Sequence, residues 1–253
     1  MIFRPVVAIA ALSLILIGAT SSNSRAAEVV VLSTVAAKSV LEEIAPAFER
    51  DSNHKLVLRF ATAAELKAEI EKGAPCDVAL LTVAAVDDLI KQGRFTQISK
   101  INVAKSGVGI AVKRGAAAPS ITTGEELKQA LLSAKSIVYS AQGATAPIMK
   151  RIFERFGITE VMSAKTIVVT AITAPEAVAS GQAEMGFTQI SEILDTPSTR
   201  LVGPLPPEVQ VYSSFAAAIA TEAKAPGAAQ AFIDLLVTAA TKAVLKARGL
   251  EPN

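Results

Sequence analysis

The stretch that most constrains the fold is residues 28–50, EVVVLSTVAAKSVLEEIAPAFER. The β-branched run Val29–Leu32 predicts a strand that is covered on both faces. Apolar residues then recur at a spacing that places them on one face of a helix: Val40, Leu41, Ile44 and Phe48. Between the two elements, the hydroxyls of Ser33 and Thr34 are expected to cap the helix start. The first N–H groups of a helix have no intrahelical partner, so such a start can bind a small anion.

Similar strand–helix units follow along the chain, which indicates a parallel sheet with helices on both faces. Two irregular junctions, near Gly115 and Pro204, bracket a second series of these units. We therefore predict a two-lobed α/β fold in which the chain leaves the first lobe, builds the second and returns. Lobe I comprises residues 27–104 and 204–253, lobe II residues 119–200, and the hinge crossings residues 105–118 and 201–203. The alternative is one continuous sheet with a surface loop at each junction.

The N-terminus has the order of charged, apolar and small residues that is typical of a secretory signal peptide. Arg4 precedes an apolar block at residues 5–19, and Ser24-Arg25-Ala26-Ala27 follows. The block is shorter than the roughly 20 residues that a membrane-spanning helix needs. We predict a signal peptide at residues 1–26 and export to the periplasm. No cysteine lies near the cleavage point, so no lipid anchor is expected.

The charge balance argues against a nucleic-acid partner. The full chain has 25 Lys+Arg and 23 Asp+Glu, and removing Arg4 and Arg25 with the leader leaves 23 of each. No basic stripe interleaved with aromatic residues is present.

Few residues offer catalytic or metal chemistry. The lone Cys76 cannot form an internal disulfide and is expected to be buried as a small apolar residue. The lone His54 follows a predicted helix in a polar turn and is expected to be solvated. No Cys/His cluster, phosphate-binding glycine loop or GxSxG motif occurs, so we predict no metal and no cofactor.

Three segments carry a family resemblance: VVVLSTVAAKSVLEEIAPAFE, FATAAELKAEIEKGAPCDVALLT and AVASGQAEMGFTQISEI. Over nearly the whole mature chain, the sequence resembles type II periplasmic solute-binding proteins, and most of all the molybdate-binding proteins of ABC importers. The resemblance implies two α/β lobes, a two-strand hinge and an oxyanion held in the cleft between the lobes. It also implies a monomer that delivers its ligand to an ABC transporter permease.

In that family, hydroxyls, backbone N–H groups and often one tyrosine hold the oxyanion without a counter-charge. Carried over position by position, the resemblance implies these ligand-binding residues: Thr34, Ala36, Thr62, Ala63, Thr145, Thr173 and Gln189. Ala36 and Ala63 stand where the family has serines, and Gln189 stands at the tyrosine position. These departures keep the backbone donors but change the side chains. The ligand class is therefore left open between a molybdate-like oxyanion and a small carboxylate.

An enzyme on the same scaffold is the main alternative, because some exported proteins resembling this branch isomerise aconitate. That chemistry needs a general base in the cleft that takes a proton from carbon. Lys38 and Glu65 are the only candidates that the sequence suggests, and neither lies in a recognisable motif. A binding module used for signalling is a third possibility, which the sequence does not separate from a transport receptor.

Overall fold

The computed structural model describes residues 26–253, so the predicted signal peptide lies outside the described residues except for Ala26. The described residues form ten strands and ten α-helices. The strands are β1 (Glu28–Thr34), β2 (Lys55–Ala61), β3 (Val78–Thr82), β4 (Ile101–Lys113), β5 (Ile137–Ser140), β6 (Thr166–Val169), β7 (Met185–Gln189), β8 (Thr199–Pro204), β9 (Tyr212–Ile219) and β10 (Glu251–Pro252). The helices are α1 (Lys38–Ser52), α2 (Ala63–Glu71), α3 (Val83–Lys91), α4 (Gly124–Ser133), α5 (Ala146–Phe156), α6 (Thr159–Lys165), α7 (Ala174–Ala179), α8 (Ile190–Leu194), α9 (Pro226–Leu236) and α10 (Ala239–Ala247).

The strands follow one hydrogen-bonded path, β2-β1-β3-β9-β4-β7-β5-β6, with β8 and β10 also paired to β4. β1 runs parallel to β2 and β3, and β5 runs parallel to β6 and β7. The long strand β4 links these two sets because it changes partners along its length. Its Gly107 pairs with Tyr212 of β9, whereas the next residue, Val108, pairs with Gln189 of β7.

The hydrophobic side chains divide into separate cores on the two sides of this change. Val29 and Val31 of β1 pack in a core that includes residues from α1, α9 and α10, while Leu32 packs on the opposite face with residues from α2 and α3. β1 is therefore covered on both faces, as its sequence predicts. The second core is built around residues of β4, α4, α5 and β7, including Ile110 and Phe187. The predicted two-lobed α/β architecture with a two-strand hinge is confirmed.

The packing suggests that the chain returns from lobe II to lobe I at a position different from the predicted residues 201–203. β8 covers residues 201–203 and pairs with the second half of β4. Leu205 and Val209 pack in the core of lobe II, whereas Phe215 packs in lobe I. We therefore propose that the chain returns between Val209 and Phe215 and that the outward crossing lies at the Gly107–Val108 step. On this proposal, Pro204 ends the lobe II strand β8, and the proline-rich segment that follows stays in lobe II.

The start of α1 differs from the sequence-based expectation. A 3-10 turn at Val35–Ala37 separates Thr34 from α1, and neither helix start has a side-chain cap. The Ser33 hydroxyl donates to the Thr34 carbonyl oxygen over 3.2 Å. The predicted caps are wrong because the Ser33 hydroxyl binds locally and Thr34 lines the cleft described below.

Candidate functional site

A cleft of about 270 Å³ opens where strands of both lobes end and helices begin. From lobe I it is lined by the ends of β1, β2 and β3, including Thr34, Ala61 and Thr82. From lobe II it is lined by Ser140 at the end of β5 and by the loops that precede α5 and α7. Open α/β sheets bind ligands at this kind of edge. The volume suits a small solute.

The structure brings all of the sequence-predicted site residues to this one cleft: Thr34, Ala36, Thr62, Ala63, Thr145, Thr173 and Gln189. The first four come from lobe I and the last three from lobe II. Ala36 is 3% exposed, and its small side chain leaves the backbone of the turn close to the cleft. The position of these residues is thus established, whereas their contact with a ligand stays a prediction.

Thr62 and Thr173 form the same capping box in the two lobes. The Thr62 hydroxyl accepts from the Glu65 N–H at 3.2 Å and donates to Glu65 Oε2 at 2.8 Å, and the carboxylate also accepts from the Thr62 N–H. Thr173 and Glu176 repeat every one of these contacts. Because each threonine hydroxyl already binds its own helix, its side chain orders the rim of the cleft. Donors for a ligand at α2 come instead from the first N–H groups of that helix.

Two polar atoms of the cleft residues are buried without a partner in the described part of the chain: Thr34 Oγ1 and Gln189 Oε1. Thr34 is 5% exposed and Gln189 is 3% exposed. Gln189 Nε2 donates to Ser213 Oγ over 3.2 Å, which links lobe II to the returning strand β9. An amide rotated by 180° would accept from the Ser213 hydroxyl and leave its N–H₂ group unpaired. In either orientation this side chain has an unused hydrogen-bonding group.

Thr145, from lobe II, is a third polar group beside those of Thr34 and Gln189. It immediately precedes α5, is 3% exposed and makes no side-chain hydrogen bond within residues 26–253. Pro147 occupies the second position of α5 and has no N–H group. The N–H groups of Ala146 and Ile148 already donate to the carbonyl oxygens of Gly143 and Thr145, so this end of α5 offers a ligand few backbone donors besides the Thr145 hydroxyl.

Glu192 is a cleft residue that the sequence analysis missed. It lies in α8, and its Oε2 accepts a hydrogen bond from the Thr188 hydroxyl at 2.6 Å. Burial raises the pKa of the Glu192 carboxyl to about 7, and the Thr188 hydrogen bond opposes this shift. No motif marks this residue. The only sequence signal is a Thr–Glu pair four residues apart, across the junction of β7 and α8.

The cleft has carboxyl groups but no cation. Glu65, Glu176 and Glu192 line it, and no lysine, arginine or histidine is among its described lining residues. Lys38, one of the two bases suggested by the sequence, does not line the cleft, and Glu65, the other, accepts hydrogen bonds in the α2 capping box. An anion bound here would be held by hydroxyl, amide and backbone N–H groups, and not by a counter-charge.

The remaining candidates have structural roles. The prediction that His54 is solvated is wrong, because the residue is half-buried and its Nδ1 accepts from the Ala27 N–H at 3.2 Å. Cys76 is partly buried, its thiol donates to the Val78 carbonyl oxygen, and burial raises the pKa of the thiol to about 12. Within residues 26–253, no group of three or more His, Cys, Asp or Glu residues is placed to hold a metal ion.

No single helix of the described chain is long and apolar enough to cross a membrane. The neighbouring helices α9 and α10 reach that length and composition only as a pair, which is bent by 61°.

Two curated proteins are similar to this chain over most of its length. The aconitate isomerase of Pseudomonas sp is 28% identical over 227 residues, which cover 88% of this chain and 87% of that protein. The molybdate-binding protein ModA of Azotobacter vinelandii is 28% identical over 249 residues, which cover 92% of this chain and 93% of that protein.

The fold is also similar to that of a solved structure. The periplasmic molybdate-binding protein of Azotobacter vinelandii superposes with a TM-score of 0.75 and 19% identity, over 88% of this chain and 98% of the other. The family model described as bacterial extracellular solute-binding protein matches residues 29–251, which is nearly all of the described sequence. This chain is a member of the bacterial extracellular solute-binding protein family.

Proposed function

We propose that the protein captures a small anion in the cleft between its lobes and presents it to the permease of an ABC importer. The observation that carries the proposal is the pair of buried, unpartnered polar atoms, Thr34 Oγ1 from lobe I and Gln189 Oε1 from lobe II. A buried polar group without a partner costs about 1–3 kcal/mol. An anion between the lobes can accept from the Thr34 hydroxyl. With the Gln189 amide rotated by 180°, the anion also accepts from its N–H₂ group while the amide oxygen accepts from the Ser213 hydroxyl, so both costs are removed.

The neutral donor set supports an anionic solute. Helix starts and hydroxyl groups stabilise negative charge without a lysine or arginine. The likeness to a molybdate-binding protein supports a tetrahedral oxyanion, whereas the likeness to an aconitate isomerase supports a small carboxylate. Both ligand classes fit a cleft of about 270 Å³.

The proposal includes the cellular setting. We expect a periplasmic monomer that is released by cleavage of residues 1–26 and that does not bind nucleic acid. N-terminal sequencing of protein released by osmotic shock tests the leader. A mature chain that starts at or near Ala27 is expected, and an intact Met1 in the membrane fraction would contradict it.

An aconitate isomerase activity is the second candidate, and Glu192 is the observation that favours it. This carboxyl is the one in the cleft that no helix cap uses, and its pKa of about 7 is suited to a general base at neutral pH. Incubation with cis-aconitate, followed by NMR of the products, tests for trans-aconitate. If the parent forms product and Glu192→Gln does not, the protein is an isomerase. If the parent forms no product, the receptor function remains as the proposal.

The receptor function is tested by calorimetry with molybdate, tungstate, sulfate and trans-aconitate. Saturation at a hundredfold excess over Kd should also raise the unfolding free energy by about 2.7 kcal/mol. The matched variants are Ala63→Leu, at a residue that lines the cleft, and Ala64→Leu, at its exposed neighbour.

Ala63→Leu should weaken binding of the best ligand at least about tenfold, because the added carbons fill the cleft between the lobes. Ala64→Leu should bind like the parent. Equal affinities for all three proteins would place the site elsewhere, and no binding of any of the four anions would contradict the function.

A further inference from the structure

The carboxyl of Glu192 has an unusual setting for a group beside an anion. It lines the cleft from the short helix α8, and the Thr188 hydroxyl is its one hydrogen-bond partner among residues 26–253. Thr188 is itself 7% exposed, so the pair is shielded from bulk water on the protein side. Gln189, with its unpartnered Oε1, lies between them in the sequence and lines the same cleft.

No cation is placed to balance a charge on Glu192. Helix α8 packs against β4, β7, β8 and the 3-10 turn before α1. Lys105 of β4 pairs with Glu251, and Arg200 of β8 donates to the Ala116 carbonyl oxygen. Other charged groups lie on or beside these elements or across the cleft: Lys38, Glu65, Lys100, Lys113, Arg114, Glu176, Glu184, Asp195 and Arg248. None of these groups acts electrostatically on Glu192, whose pKa responds to burial and to Thr188 alone.

An anion in the same cleft would oppose ionisation of this carboxyl. Burial already raises the pKa of Glu192 to about 7, so the group is partly protonated at neutral pH. A second negative charge within a few ångströms disfavours the carboxylate further, because like charges repel strongly where water is excluded. A protonated carboxyl, by contrast, has an O–H group that donates to an anion oxygen.

We propose that Glu192 contacts the bound anion as a neutral, protonated carboxyl that donates a hydrogen bond to a ligand oxygen, so that binding is coupled to proton uptake. The proposal rests on the receptor function, since an isomerase would need the same carboxyl ionised when its substrate binds. It also defines the ligand class. The preferred ligand is a fully ionised oxyanion or carboxylate with a free acceptor oxygen, and the affinity falls when the pH is high enough to ionise Glu192.

The test is calorimetry on the parent and Glu192→Gln with sulfate, molybdate and trans-aconitate between pH 6.5 and 8.5. Each titration is repeated in HEPES and Tris, because the dependence of the heat on the buffer counts the protons taken up. The parent should lose about tenfold in affinity per pH unit above pH 7.5 and take up close to one proton per anion. Glu192→Gln keeps a neutral hydrogen-bonding side chain, so its affinity should change less than about twofold over this range.

A second variant keeps the proposal testable if Glu192→Gln folds poorly. Thr188→Val removes the hydrogen bond that lowers the pKa of Glu192, so the fall in affinity should move to higher pH. Equal pH slopes and equal proton uptake in the parent and Glu192→Gln, or an unmoved profile in Thr188→Val, would overturn the proposal while leaving the receptor function intact. The absence of binding at every pH and with every probe would overturn both.

Discussion

At the residue scale, Thr34 and Thr62 show how two hydroxyls in one cleft can have opposite roles. The Thr62 hydroxyl is satisfied by its own helix, whereas the Thr34 hydroxyl is buried without a partner. Only the second hydroxyl is available to a ligand without breaking a contact of the protein. The two side chains are indistinguishable by composition or by their position after a strand.

Thr34→Val should therefore stabilise the ligand-free protein and weaken binding. Valine has nearly the same shape, and removing a buried unsatisfied hydroxyl should raise the unfolding free energy by about 1 kcal/mol. Loss of its hydrogen bond to the anion should cost about one to two decades in affinity. Urea unfolding and calorimetry measure the two effects.

Thr241→Val is the matched control for this variant. Thr241 is also buried, at 1% exposed, but its hydroxyl donates to the Leu235 carbonyl oxygen over 2.8 Å. This control should lose stability and keep its affinity. A loss of stability in Thr34→Val of the same size would show that its hydroxyl is satisfied in solution.

At the element scale, the capping boxes of α2 and α7 fix the positions of the two helix N-termini that face the cleft. Thr62→Ala removes both hydroxyl contacts of the α2 box and should lower the unfolding free energy by about 0.5–2 kcal/mol. Because the hydroxyl is already engaged, the affinity for an anion should fall less than about tenfold. Thr173→Ala should behave alike, since the α7 box has the same contacts. A large loss of affinity at unchanged stability would mean that the threonine binds the ligand directly.

The helices and strands that can be predicted from the sequence are those whose apolar residues recur at a clear helix or strand spacing. Residues 28–50 form the expected strand and helix because one short segment contains both patterns. Helix α6 is different: Met162 is its single buried residue, so no apolar stripe marks it in the sequence. The segment Thr123-Gly124-Glu125-Glu126 has the spacing of a capping box at the start of α4, but only half of that box forms. The Thr123 hydroxyl accepts from Glu126 N–H as expected, but the Glu126 carboxylate accepts from Thr122.

The cleft residues could be located by their place after strands and by the family pattern. The half-buried setting of Glu192 could not, because it depends on α8 packing against β4, which is far from α8 in the sequence. Such tertiary contacts determine the pKa of a carboxyl, and no local signal reports them.

At the scale of the whole molecule, the two lobes meet where β4 changes partners, and Gln210 completes the hydrogen bonding at that point. Its Oε1 accepts from the N–H groups of Val108 and Val211, and its Nε2 donates to the Val108 carbonyl oxygen, each over 3.0 Å. The side chain thereby substitutes for a neighbouring strand at the hinge. Gly107 allows this approach, because a Cβ there would lie 3.0 Å from Gln210 Nε2 and 3.2 Å from Cδ.

The hinge contact predicts non-additive variants. Gln210→Ala leaves the buried Val108 N–H without its partner and should lower the unfolding free energy by about 1–3 kcal/mol. Gly107→Ala should cost a similar amount, because its new methyl group displaces the same side chain. In the double variant that displacement has no further cost, so the loss should be close to that of Gln210→Ala alone.

Urea unfolding of the two single variants and the double variant measures this coupling. Gln230→Ala is the control. Gln230 is exposed and its side-chain amide donates to Asp234 within α9, so the substitution should change stability by less than about 0.5 kcal/mol. Additive losses at Gly107 and Gln210 would show that the glycine is needed for a reason other than the Gln210 side chain. If the double variant loses no more unfolding free energy than Gln210→Ala alone, both substitutions act by removing the same hydrogen bonds to Val108. The Gln210 side-chain amide would then be the group that stabilises the hinge at this point.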